Sequence, residues 1–218
     1  MRVSWRLLLR VLLVVVAAVL LWERFGAHRH EGPPGGVTDL NTSSPLNQPN
    51  GGPVSDEAYA VYSALYKEPM DQPLAFCEAS VTDIPQVDGS CLKPSTAEER
   101  QMTDSFVAAN RQTHRFEKKF SISQGYRLLS VNEVDTARRC RAAKDVDSAK
   151  CKPYADLKTI RLLGAPGFDD AHSRALVSVI KSCGKLCGSG GIFAVEKSGD
   201  SWVRSPASDF TRDCNWMY

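Results

Sequence analysis

From Leu7 to Trp22 the chain is apolar at every position except Arg10. The run falls short of the roughly 20 residues a membrane-spanning helix prefers, and the Arg10 guanidinium extends it by reaching toward the headgroups. Beyond it, Gly26 to Pro53 is rich in Gly, Pro, Asn and Ser and has few bulky apolar residues, the pattern of a linker that cannot bury enough surface to order itself. Regular periodicity starts at Ser55. "DEAYAVYSALYKEP" sets Tyr59, Tyr62 and Tyr66 at spacings of three and four, with Ser55 as N-cap, Asp56 and Glu57 in the first turn and Pro69 as the stop. This predicts a helix with an aromatic core face.

The next stretch, Met70 to Pro94, carries three prolines and a glycine and reads as irregular, held down by a Cys77–Cys91 bridge. A second helix is expected from Ser95, with Ser95 and Glu98 as a capping box and Met102, Phe106 and Ala109 on one face, continuing toward Phe120. The remainder alternates as β-structure. Strands are expected at Tyr126 to Val134, Leu157 to Ala165 and Arg174 to Cys183. "GIFAVEKSGDSWVRS" adds strand, tight turn at Ser198-Gly199-Asp200, and strand. Helices followed by strands imply an α+β class, with helices packed on a curved antiparallel sheet behind an N-terminal transmembrane helix. The expected organisation is 1–25 cytoplasmic stub and signal-anchor, 26–53 disordered linker, and 54–218 one folded domain.

Charge sharpens this picture. Arg2, Arg6 and Arg10 precede or open the apolar run, while Glu23 and Glu31 offset Arg24 and Arg29 after it, which orients the N-terminus to the cytoplasm. Phe25 stands where a small-x-small cleavage site ending at Ala27 needs a small residue, so the segment reads as an uncleaved anchor. From Val54 onward there are 22 basic and 22 acidic residues, a balance that gives no case for nucleic acid. All seven cysteines follow the apolar run, in keeping with an oxidising compartment, and none lies close enough to it to accept a lipid.

The run Gly167 to Ser205, "GFDDAHSRALVSVIKSCGKLCGSGGIFAVEKSGDSWVRS", resembles a pattern of uncharacterised bacterial cell-envelope proteins. There a strand after Gly-Phe carries an Ala-Leu-Val core and a Cys-Gly-x-x-Cys-Gly turn, and the next strand ends in Lys before a Gly-x-x-Trp turn. Gly167-Phe168, Ala175-Leu176-Val177, Cys183-Gly184, Cys187-Gly188, Lys197, Gly199 and Trp202 carry the likeness, and Trp216 matches a late tryptophan. The likeness spans less than a fifth of the chain and implies a strand pair and an envelope location, without an activity.

Candidate chemistry is sparse. Cys183 and Cys187 can clip a hairpin turn, because Gly184 and Gly188 let the chain fold back within disulfide reach. The same pair can instead hold zinc with Cys214 and His172, or act as a redox pair, although no helix follows it to lower a thiol pKa. Cys140 and Cys151 bracket a charged loop in which Arg138, Arg139, Arg141 and Lys144 offer an anion or an acidic partner a contact, the alternative being a solvated clipped loop. With seven cysteines one stays unpaired, and Cys214 is the candidate. "DDAHS" gathers Asp169, Asp170, His172 and Ser173 in one turn, whereas a Ser-His-Asp system needs groups converging from separate places. "GSGG" at Gly188 precedes a strand and lacks the helix N-terminus of a phosphate loop. The pair of histidines at His28 and His30 lies in the linker, and His114 precedes Glu117 on an expected helix surface. No cofactor and no catalytic set is expected. The reading is a single-pass inner-membrane protein anchored by residues 7–22, with a periplasmic domain that binds a ligand or another envelope protein. The alternatives are an exported enzyme with a site formed only in three dimensions, or a thiol-redox or zinc protein using Cys183 and Cys187.

Overall fold

The structure, a computed structural model, describes residues 46–67, 73–82, 88–143, 147–184, 187–206 and 209–217, and not the side chains of Gly184 and Cys187. All of these lie in the compact unit Asp39–Tyr218. The apolar run 7–22 lies outside the described residues, among which no helix is long and apolar enough to cross a membrane.

Helix α1 (Asp56–Ala64) begins where its cap requires: the Ser55 hydroxyl accepts the Ala58 N–H, and Asp56 and Glu57 complement the helix dipole. It buries Ala58, Tyr59, Val61 and Tyr62, and Tyr66 is buried just beyond its end. Strand β1 (Leu74–Cys77) runs through the stretch whose composition reads as irregular, and all four of its residues are buried. Helix α2 (Ala97–Ala109) starts one residue later than its sequence pattern suggests. Thr96, not Ser95, is the N-cap, and its partner in the capping box is Glu99, not Glu98. The helix stops at Ala109 because Asn110 turns away: its side chain donates to Ala165 O and accepts from Ala165 N–H, both buried. Phe116 and Phe120 therefore enter the core from a loop.

The expected strand Tyr126–Val134 is two elements. Strand β2 (Tyr126–Leu129) ends at Ser130, which forms a capping box with Glu133 and opens helix α3 (Val131–Ala142). A disulfide from Cys140 to Cys151 and a 3₁₀ turn (Lys152–Tyr154) return the chain to strands β3 (Ile160–Leu163) and β4 (Gly167–Phe168). Strands β5 (Arg174–Gly184) and β6 (Cys187–Ser198) form a long hairpin, and β7 (Ser201–Arg204) follows through a turn at Gly199, whose φ of 61° suits glycine. Strand β8 (Asn215–Met217) ends the described chain.

The sheet order is β2-β1-β3-β5-β6-β7, with β4 on β5 and β8 on β6. The α+β class holds and the sheet is curled and rich in antiparallel pairs. It is not wholly antiparallel: β1 pairs parallel with both β2 and β3. The reason is connectivity. A long crossover through α2 joins β1 to β2, and another through α3 joins β2 to β3, and crossovers of that length bring strands back in the same direction.

Helices cover both faces. Leu74, Phe76, Leu163, Ala175, Val177 and Val195 pack against α1, Phe116 and Phe120. The alternate residues Ala75, Cys77, Ile160, Leu162 and Ile180 pack against Val131, Val134 and Ala137 of α3. Farther along the same face, Leu176, Ile192 and Ala194 meet Met102 and Phe106 of α2.

Residues 46–53 fall within the stretch that composition assigns to a linker, yet they lie on the domain. Asn50 and Gly51 donate their N–H groups to Thr113 O at 3.0 and 2.8 Å, and Leu46 packs against the α3 side of the core.

Candidate functional site

The cysteines settle into positions that differ from their order in sequence. Cys91 is bonded to Cys214, not to Cys77, and Cys214 is not the unpaired thiol. Cys77 is. Geometry decides this: Cys77 points from β1 into the α3 layer, whereas Cys91 belongs with the α2 layer and the C-terminal segment. Burial pushes the Cys77 thiol up to about 12, so it is inert as a nucleophile. Cys183 is disulfide-bonded, which speaks against a free-thiol reading of that turn. The Cys187 side chain lies outside the described residues, while its backbone pairs with Gly184 across the hairpin.

The basic residues expected to face an anion do not converge. Arg138, Arg139 and Arg141 sit on α3, with Arg138 and Arg141 half-buried and Arg139 exposed. Arg141 donates to Ser182 O at 3.1 Å and to Leu157 O, tying α3 to the ends of β5 and β3. Burial pulls its pKa below the ordinary arginine value, and burial does the same to Arg138 against the opposing charge of Asp135. Arg139 is exposed, with Thr136 Oγ1 at 3.4 Å. Lys144 lies outside the described residues. Two of the three arginines therefore serve packing, and the described residues of the loop bring no cluster of basic side chains together.

A different group of side chains does converge, at the turn from β4 to β5. Asp169 organises it. Its Oδ1 accepts the N–H groups of Ser173 and Arg174 at 2.7 and 3.0 Å, and its Oδ2 accepts the Ser173 hydroxyl at 2.8 Å. Gln101 of α2 exchanges two hydrogen bonds with Asp170, at 2.8 and 3.1 Å. The turn so held places His172 at φ 51°, in the left-handed region that non-glycine residues seldom occupy. The imidazole stacks on Phe168 with ring centroids 5.0 Å apart and planes 8° from parallel. Its Nδ1 donates to Glu57 Oε2 at 2.7 Å, since a carboxylate can only accept. Lys197 of β6 donates to the other oxygen, Oε1, at 2.8 Å, and its ammonium lies 5.1 Å from the Trp202 ring. Phe168 meets Trp202 edge to face at 5.9 Å.

The result is a held imidazole on an aromatic base, with its carboxylate partner in the first turn of α1. The His172 side chain is 57% exposed, so the ring is offered to solvent. Burial would raise the Glu57 carboxyl, but the bonds from Lys197 and His172 outweigh it and hold the pKa below the ordinary glutamate value. Among the described residues, "DDAHS" forms no catalytic triad: the Ser173 hydroxyl is given to Asp169, and His172 turns to Glu57. No group of three or more His, Cys, Asp or Glu among the described residues is arranged to hold a metal. The sequence flags the turn but not Glu57 or Lys197, which lie 115 residues before His172 and 140 residues after Glu57.

Asp169 also carries a pH signature. Burial acts to raise its pKa, but the Arg174 N–H and the Ser173 hydroxyl and N–H outweigh burial and lower it from the ordinary value of 3.8. A carboxyl whose pKa is depressed on folding stabilises above its unfolded pKa, and that contribution fades as pH falls through the folded value. Asp169→Asn is expected to lose about 1–2 kcal/mol at neutral pH, with the difference from wild type shrinking as pH falls below the ordinary aspartate value of 3.8. Urea unfolding at both pH values checks this, and a pH-independent difference would show that the charge is irrelevant.

Comparison of the chain with protein-family models, with curated proteins and with solved structures finds no match, and the site stands on its own geometry.

Proposed function

We propose that this protein is a membrane-anchored binding domain, held on the extracytoplasmic side by residues 7–22, whose ligand-facing surface is the turn Asp169–Arg174 together with Glu57 and Lys197. One observation carries the reading: an exposed imidazole is fixed in a sparsely populated backbone conformation by contacts from α1, β4 and the turn itself. Strain of this kind persists only where surrounding structure overdetermines it, and it concentrates at functional positions. An exposed, preorganised polar group on rigid elements suits recognition of a partner surface, such as another envelope protein. The paired cysteines support an exported location.

The test uses the full chain in its native membrane, with a benzophenone side chain introduced at Asp170 or, as a control, at exposed Lys150 on the far loop. Illumination is expected to yield a discrete adduct from position 170 alone, reduced severalfold by Glu57→Gln, which removes the charge and one of the two acceptor oxygens that hold His172 and Lys197. Equal adducts from the two positions, or none from 170, would remove the turn as the binding surface. Protease added to intact spheroplasts should reach the domain, and protection there would place it on the wrong side of the membrane.

A further inference from the structure

Residues 46–53, "LNQPNGGP", form a strap across the loop that follows α2. Besides the Leu46 contact with the core and a 3.5 Å hydrogen bond from Asn47 Nδ2 to Thr82 Oγ1, its described contacts are with that loop. Asn50 and Gly51 donate to Thr113 O, the Thr113 N–H donates to Asn50 Oδ1 at 2.8 Å, and Pro53 bridges to Arg115. At the centre stands His114. Its Nδ1 lies 3.1 Å from Gly52 O on the strap, and its Nε2 lies 3.0 Å from Ala109 O at the end of α2. The fit is close, since a Cβ on Gly51 would come within 3.1 Å of the ring.

Both partners of the ring are carbonyl oxygens, and carbonyl oxygens cannot donate. A neutral imidazole has one N–H and serves one of them, leaving a lone pair facing a lone pair at the other. The imidazolium has two N–H groups and serves both. Ala109 is the last residue of α2, so its carbonyl is at the negative end of the helix dipole, where a cation is favoured. The strap brings no charged side chain to the ring. The end of α2 brings Arg111, and the chain beyond His114 brings Arg115. Both arginines are exposed, and Arg115 lies 3.9 Å from Glu78 just after β1. The loop itself is fixed independently of the ring, by the His114 N–H to Ser80 Oγ and by the Ser80 N–H to His114 O.

We infer that His114 is a protonation-dependent latch that fastens residues 46–53 to the domain when the ring carries two protons and loosens them when it carries one. The occupant of the docking surface is thus a segment of this chain, and the controlling ligand is the proton. Opening frees eight residues, which span up to about 25–30 Å when extended. That gain in reach rests on the anchoring of residues 7–22, whereas the latch does not.

The experiment is amide hydrogen exchange on the full chain in lipid nanodiscs, corrected for the intrinsic pH dependence of exchange, between about pH 5 and 8. Protection of the Asn50 and Gly51 amides is expected to fall about fivefold to tenfold as pH rises, the effect of losing one hydrogen bond. The amides of Val177 and Val179 in β5 should keep their protection, separating strap release from unfolding. His114→Phe should show low strap protection at every pH. If that variant does not fold, nitrogen chemical shifts of the His114 ring in the wild type decide: two protonated nitrogens while the strap is protected support the latch. A singly protonated ring with a protected strap, or strap protection indifferent to pH, overturns it. Failure of the membrane reading would leave each of these results unchanged.

Discussion

Gly167→Ala is expected to leave little folded protein. A Cβ on Gly167 would lie 2.1 Å from the backbone N of Phe106, 2.2 Å from its Cα and 2.6 Å from its Cβ. Carbon contacts normally settle at about 3.5–4.0 Å, and two of these three atoms are helix backbone, which cannot swing aside as a side chain can. Either β4 must leave β5, breaking the pairs Gly167↔Leu176 and Phe168↔Ala175, or α2 must lift and expose Met102 and Phe106. Each route costs more than about 3 kcal/mol, a large share of the stability of an ordinary domain. Gly125→Ala is the comparison, because that position has open space and only a positive φ to penalise a side chain, about 1 kcal/mol. Urea midpoints of the two variants test the claim. Equal midpoints would mean that β4 does not pack on α2 as described. Because β4 carries Phe168 and leads into the Asp169 turn, any fraction of Gly167→Ala that does fold should misplace His172.

The second large effect concerns the Cys91–Cys214 bridge. It joins residues 123 apart, against 11 for Cys140–Cys151. A cross-link stabilises chiefly by restricting the unfolded chain, and the chain-entropy model gives about 4–5 kcal/mol for the long loop and about 3 for the short one. Cys214 is fully buried, and the segment it holds also meets the domain through Ile192 N–H to Cys214 O, Lys93 N–H to Phe210 O, the burial of Phe210 and the β8–β6 pairing. Replacing Cys91 and Cys214 together by Ala is expected to lower the urea midpoint more than replacing Cys140 and Cys151 together. It should also release β8, with Trp216, from its place beside Gly190 on β6. A larger loss from the short bridge would overturn the ranking.

How much of this was legible depends on how local each determinant is. Helix α1 could be read because cap, first-turn acids and tyrosine spacing all lie within a dozen residues. The β5–β6–β7 meander could be read because its strands are long and its turns carry glycine. Strand β1 could not: it is four residues buried on both faces, so it shows no alternation, and its partners β2 and β3 come from distant sequence. Helix α3 was present as the Ser130-x-x-Glu133 cap, but Val131 and Val134 gave it the look of a continued strand. At the candidate site the turn was visible and its partners were not, since only the packing of α1 against β6 and β7 brings Glu57 and Lys197 to His172.

The disulfide pattern also constrains how the chain can be made. Cys77 precedes Cys91 by fourteen residues, whereas the true partner, Cys214, follows Cys91 by 123 residues. When Cys91 emerges during synthesis, the thiol nearest to it is therefore the wrong partner, and the right one has yet to be made. Correct maturation requires that β1 close over Cys77 before oxidation reaches it, or that a thiol–disulfide isomerase undo the early bond. A host lacking such an isomerase should accumulate full-length chain carrying the Cys77–Cys91 error, with its C-terminal segment loose.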